Sequence, residues 1–165
     1  YPVGDWQLKL TREGELCIKG SQMMLGYLGD PTQSKINNGW MHTGDLADID
    51  ANQLVTITGR ADRTININGE KVNLDRIESL LKSTGLQLKA LAHEDDIHGQ
   101  RLVIAVEKND SAHSRETLYD VINQAIQPWC HGFEIATVER FPHNSRGKVD
   151  QCALEKMILT RRKYD

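Results

Sequence analysis

The sequence predicts an α+β protein in two parts, a small β-rich segment over residues 1–59 and a compact α+β segment over residues 60–165. Three observations predict it. Up to about residue 58, short alternating apolar runs are separated by tight-turn signals, and none has a helical period. Beyond Arg60, strand-like runs alternate with amphipathic helical stripes. Between them, Gly59–Glu78 reads as a strand end, a charged corner, a short hairpin and a helix start.

In the first part, Trp6, Leu8 and Leu10 share one face of a strand over Trp6–Leu10. Thr11-Arg12-Glu13-Gly14 is a turn, and Leu16 and Ile18 begin a second strand ending at Gly20. Met24–Tyr27 is a third short apolar stretch. Asp30-Pro31 opens a polar connection to the turn cluster Asn37-Asn38-Gly39. Asp45–Ile49 and Leu54–Thr58 complete this part as a pair of strands.

In the second part, Thr64, Ile65 and Ile67 are strand formers, and Val72 resumes the pattern. Asn68-Gly69 between them is a hairpin signal, because both residues tolerate positive φ. Asn73 caps a helix carrying Leu74, Ile77, Leu80 and Leu81 to about Ser83, and Gly85 stops it. Strands follow over Leu86–His93 and Leu102–Val106, with a loop over Asp95–Gln100 between them; the second strand is apolar enough to be central. Ser114 caps a helix with a stripe of Leu118, Val121, Ile122, Ala125 and Ile126, and Pro128 ends it. Phe133–Val138 is a further strand. After a polar loop holding Lys148, Asp150 caps a last helix with Ala153, Leu154, Met157 and Ile158 inward. Thr160–Asp165 is a charged, fraying end. This makes a hairpin, a short mixed sheet and three helices.

Composition excludes several classes. The 20 basic and 23 acidic residues leave a formal net charge of −3, so no basic field favours nucleic acid. No apolar run spans a membrane, and the first residues do not resemble a signal peptide. Cys17, Cys130 and Cys152 are widely spaced and read as reduced thiols in a cytoplasmic protein. Neither they nor the six histidines have metal-ligand spacing, so no metal site is expected here. Asn109-Asp110-Ser111 matches a glycosylation acceptor and is read as a chance match.

The motifs are more specific. Gly14-Glu15-Leu16 comes first, then Gly26-Tyr27-Leu28, then Gly39-Trp40-Met41-His42-Thr43-Gly44-Asp45-Leu46. The stretch Gly59–Glu78 follows, and Ser145-Arg146-Gly147-Lys148-Val149-Asp150 closes the set. In this order and spacing the set resembles the acyl-adenylate-forming superfamily. That superfamily holds AMP-forming acyl- and aryl-CoA synthetases, adenylation domains of peptide synthetases and firefly-type luciferases. Several motifs in register are far more specific than any one alone.

The resemblance implies the carboxy-terminal portion of an acyl- or aryl-CoA synthetase. Residues 1–59 would be the barrel-like end of a large amino-terminal domain, otherwise absent from this sequence. Residues 60–165 would be a mobile lid, with its hinge near Asp62. The implied reaction joins a small carboxylic acid to ATP with Mg2+, releasing pyrophosphate, and then passes the acyl group to the thiol of coenzyme A. The phosphate loop, the Mg2+ site and the acyl pocket would lie in the missing part, so the fragment alone is expected to be inactive. The orphaned β surface is expected to pack on a neighbouring copy. Two alternatives stay open: a stand-alone ligase loading a carrier protein's pantetheine, and a non-catalytic module that keeps the fold.

The resemblance implies roles for single residues, each with its local reading beside it. Lys148 is the catalytic cation of the adenylation step, an ammonium able to touch a carboxylate and a phosphate together. By local sequence alone it is a solvated turn lysine. Arg146 stands where the family commonly has a small residue, and Gln151 where it has a basic one. Asp45 is the acceptor for the ribose diol, or on local grounds a turn residue capping an amide. Arg60 reaches the ribose or phosphate, or pairs with Asp62 at the surface. Asp62 is the hinge, or an ordinary turn residue. Gly69 lines the pantetheine tunnel, while the turn alone already explains it. Glu78 is structural, and Lys71 is left without a role.

Overall fold

The computed structural model describes residues 4–24, 35–95, 99–108, 114–127, 129–130 and 132–162. The chain divides into two compact units, Tyr1–Thr64 and Ile65–Asp165.

The first unit is a half-barrel-like sheet of five strands. They are β1 (Gln7–Leu10), β2 (Glu15–Lys19), β3 (Ile36–Asn37), β4 (Trp40–Ile49) and β5 (Val55–Arg60). β1 pairs with β2, and β2 with β4. β3 pairs with β4 at Trp40 and Met41, and β5 pairs with it from Asp45 to Ile49. All pairings are antiparallel. β4 begins at Trp40, not at Asp45 as the sequence suggested, because β2 and β3 supply ladder partners for its first half. Asn38 and Gly39 have φ of 50° and 75°, so the expected turn is a two-residue hairpin joining β3 and β4. The core here is thin. Leu16, Cys17 and Ala47 are buried, while Leu54 and Ile57 stand 61% and 54% exposed. Lys9 sits 4.3 Å from the Trp40 ring centroid, a cation–π contact between β1 and β4. The stretch expected over Met24–Tyr27, the Gly26-Tyr27-Leu28 motif and Asp30-Pro31 lie outside the described residues, Met24 excepted.

A 3₁₀ turn, Ala61–Arg63, leads to β6 (Thr64–Ile67), β7 (Glu70–Asn73) and α1 (Leu74–Leu81). Asn68 and Gly69 have φ of 51° and 90°, as a primed hairpin turn requires. The Asn73 side chain accepts the Arg76 N–H at 3.1 Å and caps α1. A 3₁₀ turn, Lys82–Thr84, extends the helix, and Gly85 ends it at φ 71°. Then come β8 (Leu88–Asp95), β9 (Gly99–Glu107), α2 (Arg115–Ile126), β10 (Glu134–Val138) and α3 (Gln151–Arg162). Ser114 and Asp150 cap α2 and α3 by accepting the N–H of Thr117 and of Ala153. Pro128, the expected stop for α2, is outside the described residues.

Two expectations need correction. The loop over Asp95–Gln100 is shorter than expected, because the β8–β9 ladder continues from Leu88↔Val106 out to Asp95↔Gly99. Gly99, at φ 74°, takes the backbone strain where the strand begins. Met157 is exposed, not inward, because α3 buries only the narrow Leu154 and Ile158 stripe.

β9 is the central strand. It pairs with β8 antiparallel, with β10 parallel from Val103 to Glu107, and with β6 antiparallel at Gly99. Its side chains alternate between two cores. Leu102, Ile104 and Val106 pack with Ile77, Leu81, Ile122 and Ile126 of α1 and α2. Val103 and Ala105 pack with Val138, Phe141 and the α3 residues Leu154 and Ile158. A strand covered on both faces has no polar side to alternate, which explains its continuous apolar run. Glu78, half-buried on α1, pairs with Lys89 at 2.7 Å and accepts the Ala90 N–H at 3.1 Å, tying α1 to β8. No helix of the described residues is long and apolar enough to cross a membrane.

Ile77 is 1% exposed at the centre of the larger core. Ile77→Ala should destabilise the second unit by about 2–4 kcal/mol, through lost burial and an incompletely filled cavity. The midpoint of urea unfolding measures it.

Candidate functional site

The first unit places Asp45 and Arg60 together through an irregular strand. Between the pairs Glu15↔Leu46 and Cys17↔His42, β2 contributes one residue, Leu16, while β4 contributes Thr43, Gly44 and Asp45. This bulge removes the regular ladder partners and re-aims the side chains. The hydrogen bonds are replaced individually. Thr43 Oγ1 donates to the Leu16 carbonyl at 2.9 Å and accepts the Asp45 N–H at 3.0 Å. Glu15 Oε1 accepts the Gly44 N–H at 2.9 Å. Glu15 Oε2 lies 2.9 Å from His42 Nδ1.

Arg60, at the end of β5, stands directly across the ladder from Asp45. Its Nη1 donates to Asp45 Oδ1 at 3.0 Å and to the Thr43 carbonyl at 3.2 Å. Its Nε and Nη2 donate to the two carboxylate oxygens of Asp62, each at 3.3 Å. The bonds from Asp62, and then from Asp45, push its pKa further up, so the guanidinium stays charged at any working pH. The guanidinium sits close against Gly44. A Cβ at Gly44 would come within 2.9 Å of Arg60 Nη2, and φ there is +75°.

These groups open onto a depression of about 500 Å³ lined by Glu15, Lys35, Asn37, His42, Gly44, Arg60, Ala61 and Asp62. It is open, and its lining side chains carry both signs of charge. Arg60 in its lining is a fixed cation, and the Asp45 carboxylate that Arg60 binds is an acceptor-only group. Cys17 Sγ lies 3.5 Å from His42 Nδ1, but burial and the Glu15 charge push its thiol up, so it is not a poised nucleophile. Among the described residues no cluster of three or more His, Cys, Asp or Glu side chains is arranged to hold a metal ion.

The other expected residues are placed as follows. Asp62 lies in the 3₁₀ turn Ala61–Arg63, two-thirds exposed, with its carboxylate on Arg60. Gly69 lies at the tip of the β6–β7 hairpin, where its N–H donates to Asn66 Oδ1 at 2.8 Å. A Cβ there would meet nothing within 4 Å, so the turn and not crowding accounts for the glycine. Lys148 is exposed, in a tight loop bracketed by the His143↔Val149 bridge. Asn144 organises that loop. Its Oδ1 accepts the N–H of Arg146 and of Lys148, and its own N–H donates to the Lys148 carbonyl at 2.8 Å. Gly147, at φ 73°, permits the turn. Asp45, Arg60 and Asp62 therefore form one cluster, and Lys148 and Gly69 belong to the other unit. Sequence reasoning missed Glu15 and His42. Both stood within motifs, but only the pairing of β2 with β4 brings them together.

No protein-family model matches the chain. The chain is 30% identical over 154 residues to 4-coumarate–CoA ligase 2 of Oryza sativa subsp. japonica, covering 90% of this chain and 27% of that protein. It is 31% identical over 153 residues to a long-chain-fatty-acid–CoA ligase of Escherichia coli O6:H1, covering 88% and 27%. The chain belongs to the acyl-adenylate-forming superfamily. It spans about a quarter of the length of these curated relatives. Solved members of the superfamily share its fold. The o-succinylbenzoate coenzyme A synthetase of Bacillus subtilis, in complex with ATP and magnesium, superposes with a TM-score of 0.76 at 22% identity, over 93% of this chain and 34% of that one. An amide bond synthetase from Marinactinospora thermotolerans gives 0.72 at 18% identity, over 92% and 34%.

Gly44→Ala should destabilise the first unit by about 1–2 kcal/mol, because alanine is strained at positive φ. It should also displace Arg60 from Asp45. Thermal unfolding measures the first effect, and the Arg60 side-chain NMR resonances report the second.

Proposed function

We propose that this chain is the nucleotide-contacting and lid portion of an AMP-forming acyl- or aryl-CoA synthetase. The observation that carries the reading is the pair of Asp45, on the bulge of β4, and Arg60, which lines an open depression carrying both signs of charge. In such an enzyme a carboxylic acid is activated by ATP with Mg2+ as acyl-AMP, and the thiol of coenzyme A then takes the acyl group.

The roles of this chain's residues follow from their chemistry. Asp45 spends one oxygen on Arg60, and its carboxylate has lone pairs left for two vicinal hydroxyls. Arg60 holds that carboxylate in place and supplies positive potential beside it. Asp62, two residues beyond Arg60 in a short turn, is the joint about which the second unit reorients. Its carboxylate accepts from Arg60, within the first unit. Lys148 is exposed on a loop whose backbone is wound tightly by Asn144. A rigid loop with an unburied lysine presents an ammonium at the end of a long stem, suited to the charge that develops as an anionic acid meets a phosphate. The Gly69 turn leaves the hairpin tip without a side chain, which suits close passage of a slender pantetheine arm. The phosphate cradle, the Mg2+ site and the acyl pocket are assigned to parts of the enzyme outside this sequence. The names of the relatives support CoA as the acceptor. An amide bond synthetase shares the fold, so the fold by itself does not choose the acceptor.

In the intact enzyme, Lys148→Ala should cut acyl-AMP formation by about two to three orders of magnitude, the cost of a lost transition-state donor. Thioester formation from pre-made acyl-AMP should be spared. Pyrophosphate release measures the first half-reaction and thioester yield the second. Adenylation at the wild-type rate would refute the assignment.

A further inference from the structure

We propose that Glu15 is a positioning residue for nucleotide binding, acting on Asp45 through the backbone of Gly44. The inference rests on the reading of Asp45 as the acceptor for the ribose diol. Three observations carry it. First, the bulge sets Thr43, Gly44 and Asp45 opposite the single residue Leu16, so this segment has lost its regular ladder partners. A backbone N–H left without an acceptor is costly, and Glu15 Oε1 supplies one to Gly44 at 2.9 Å. Second, Gly44 has φ +75°, a left-handed backbone conformation that glycine adopts without the Cβ penalty of other residues. The residue immediately before Asp45 thus sits off the regular strand conformation, and the Glu15 carboxylate holds its N–H there. Third, the second oxygen of Glu15 is held 2.9 Å from His42 Nδ1. One side chain on β2 therefore grips β4 on both sides of Thr43.

Removing the Glu15 carboxylate frees the Gly44 peptide to rotate, and the direction of the Asp45 carboxylate turns with it. The Arg60 bond alone fixes one oxygen of Asp45, not the plane of the group. Diol recognition needs that plane, since two vicinal hydroxyls must be met together. Glu15→Gln keeps an oxygen for the Gly44 N–H and can donate its amide to His42 Nδ1, so it should preserve the grip. Glu15→Asp keeps the charge but is one methylene shorter and should not span both partners. Glu15→Ala removes the grip outright.

The test is equilibrium binding of AMP and of 2′,3′-dideoxy-AMP to the intact enzyme by titration calorimetry. Dideoxy-AMP lacks the diol, so the ratio of the two affinities reads diol recognition alone. A general loosening of the fold would weaken both ligands together. The wild type should prefer AMP, and Asp45→Ala should abolish that preference. Glu15→Ala and Glu15→Asp should each reduce it by about five- to tenfold, the scale of one lost hydrogen-bonded anchor. Glu15→Gln should stay within about threefold of wild type. Should Glu15→Ala not fold, Glu15→Asp decides the matter. If Asp45→Ala abolishes the preference while both Glu15→Ala and Glu15→Asp retain it, the role of Glu15 is overturned and the ribose reading stands. If Asp45→Ala retains the preference, the ribose reading falls, and the role of Glu15 falls with it.

Discussion

The Arg60 guanidinium is the tie on which the first unit's site depends. One planar cation joins the end of β5, the bulge of β4 and the 3₁₀ turn that leads into the second unit. Arginine can do this because its donors diverge in a fixed plane, and each edge finds a different acceptor. Lysine has one charged point and no such geometry. The bonds are partly exposed, so their worth lies in orientation more than in stability. Gly44 completes the arrangement. The guanidinium can come this close to the strand only where no Cβ stands.

The second unit is organised differently. Its stability comes from β9, buried on both faces, with α1 and α2 on one side and α3 on the other. Little of that core bears on chemistry. It carries two exposed appendages on rigid supports, the hairpin tip at Gly69 and the loop at Lys148. The hairpin is short and closed by a primed turn. The loop is pinned by one asparagine side chain that accepts two backbone N–H groups.

A tight turn, a bulge and a cap thus shape the candidate site and the lysine loop. Each is a place where backbone hydrogen bonds leave the regular ladder and a side chain replaces them. Thr43, Glu15 and Asn144 fill that role at the bulge and at the lysine loop. Glu15 stands within a motif and Asn144 directly before one, yet nothing in the local sequence says which backbone groups they meet. Such residues are recognised by what they accept, which requires coordinates.

Local order determined much of this protein. Asn68-Gly69 required positive φ, Asn73, Ser114 and Asp150 were able to cap, and Gly85 had to end a helix; these are short-range demands that each residue settles with its neighbours. The motif spacing similarly singled out Asp45, Arg60, Asp62, Gly69 and Lys148 as residues of one family. What only the tertiary structure decided was which of them meet. β2–β4 pairing set Glu15 beside Gly44 and His42, and β4–β5 pairing set Arg60 across from Asp45. It also lengthened β4 and shortened the β8–β9 loop, because a strand ends where its partner ends and not where its own apolar pattern fades. Met157 turned outward for a related reason: a helix buries only as wide a stripe as its neighbours leave room for.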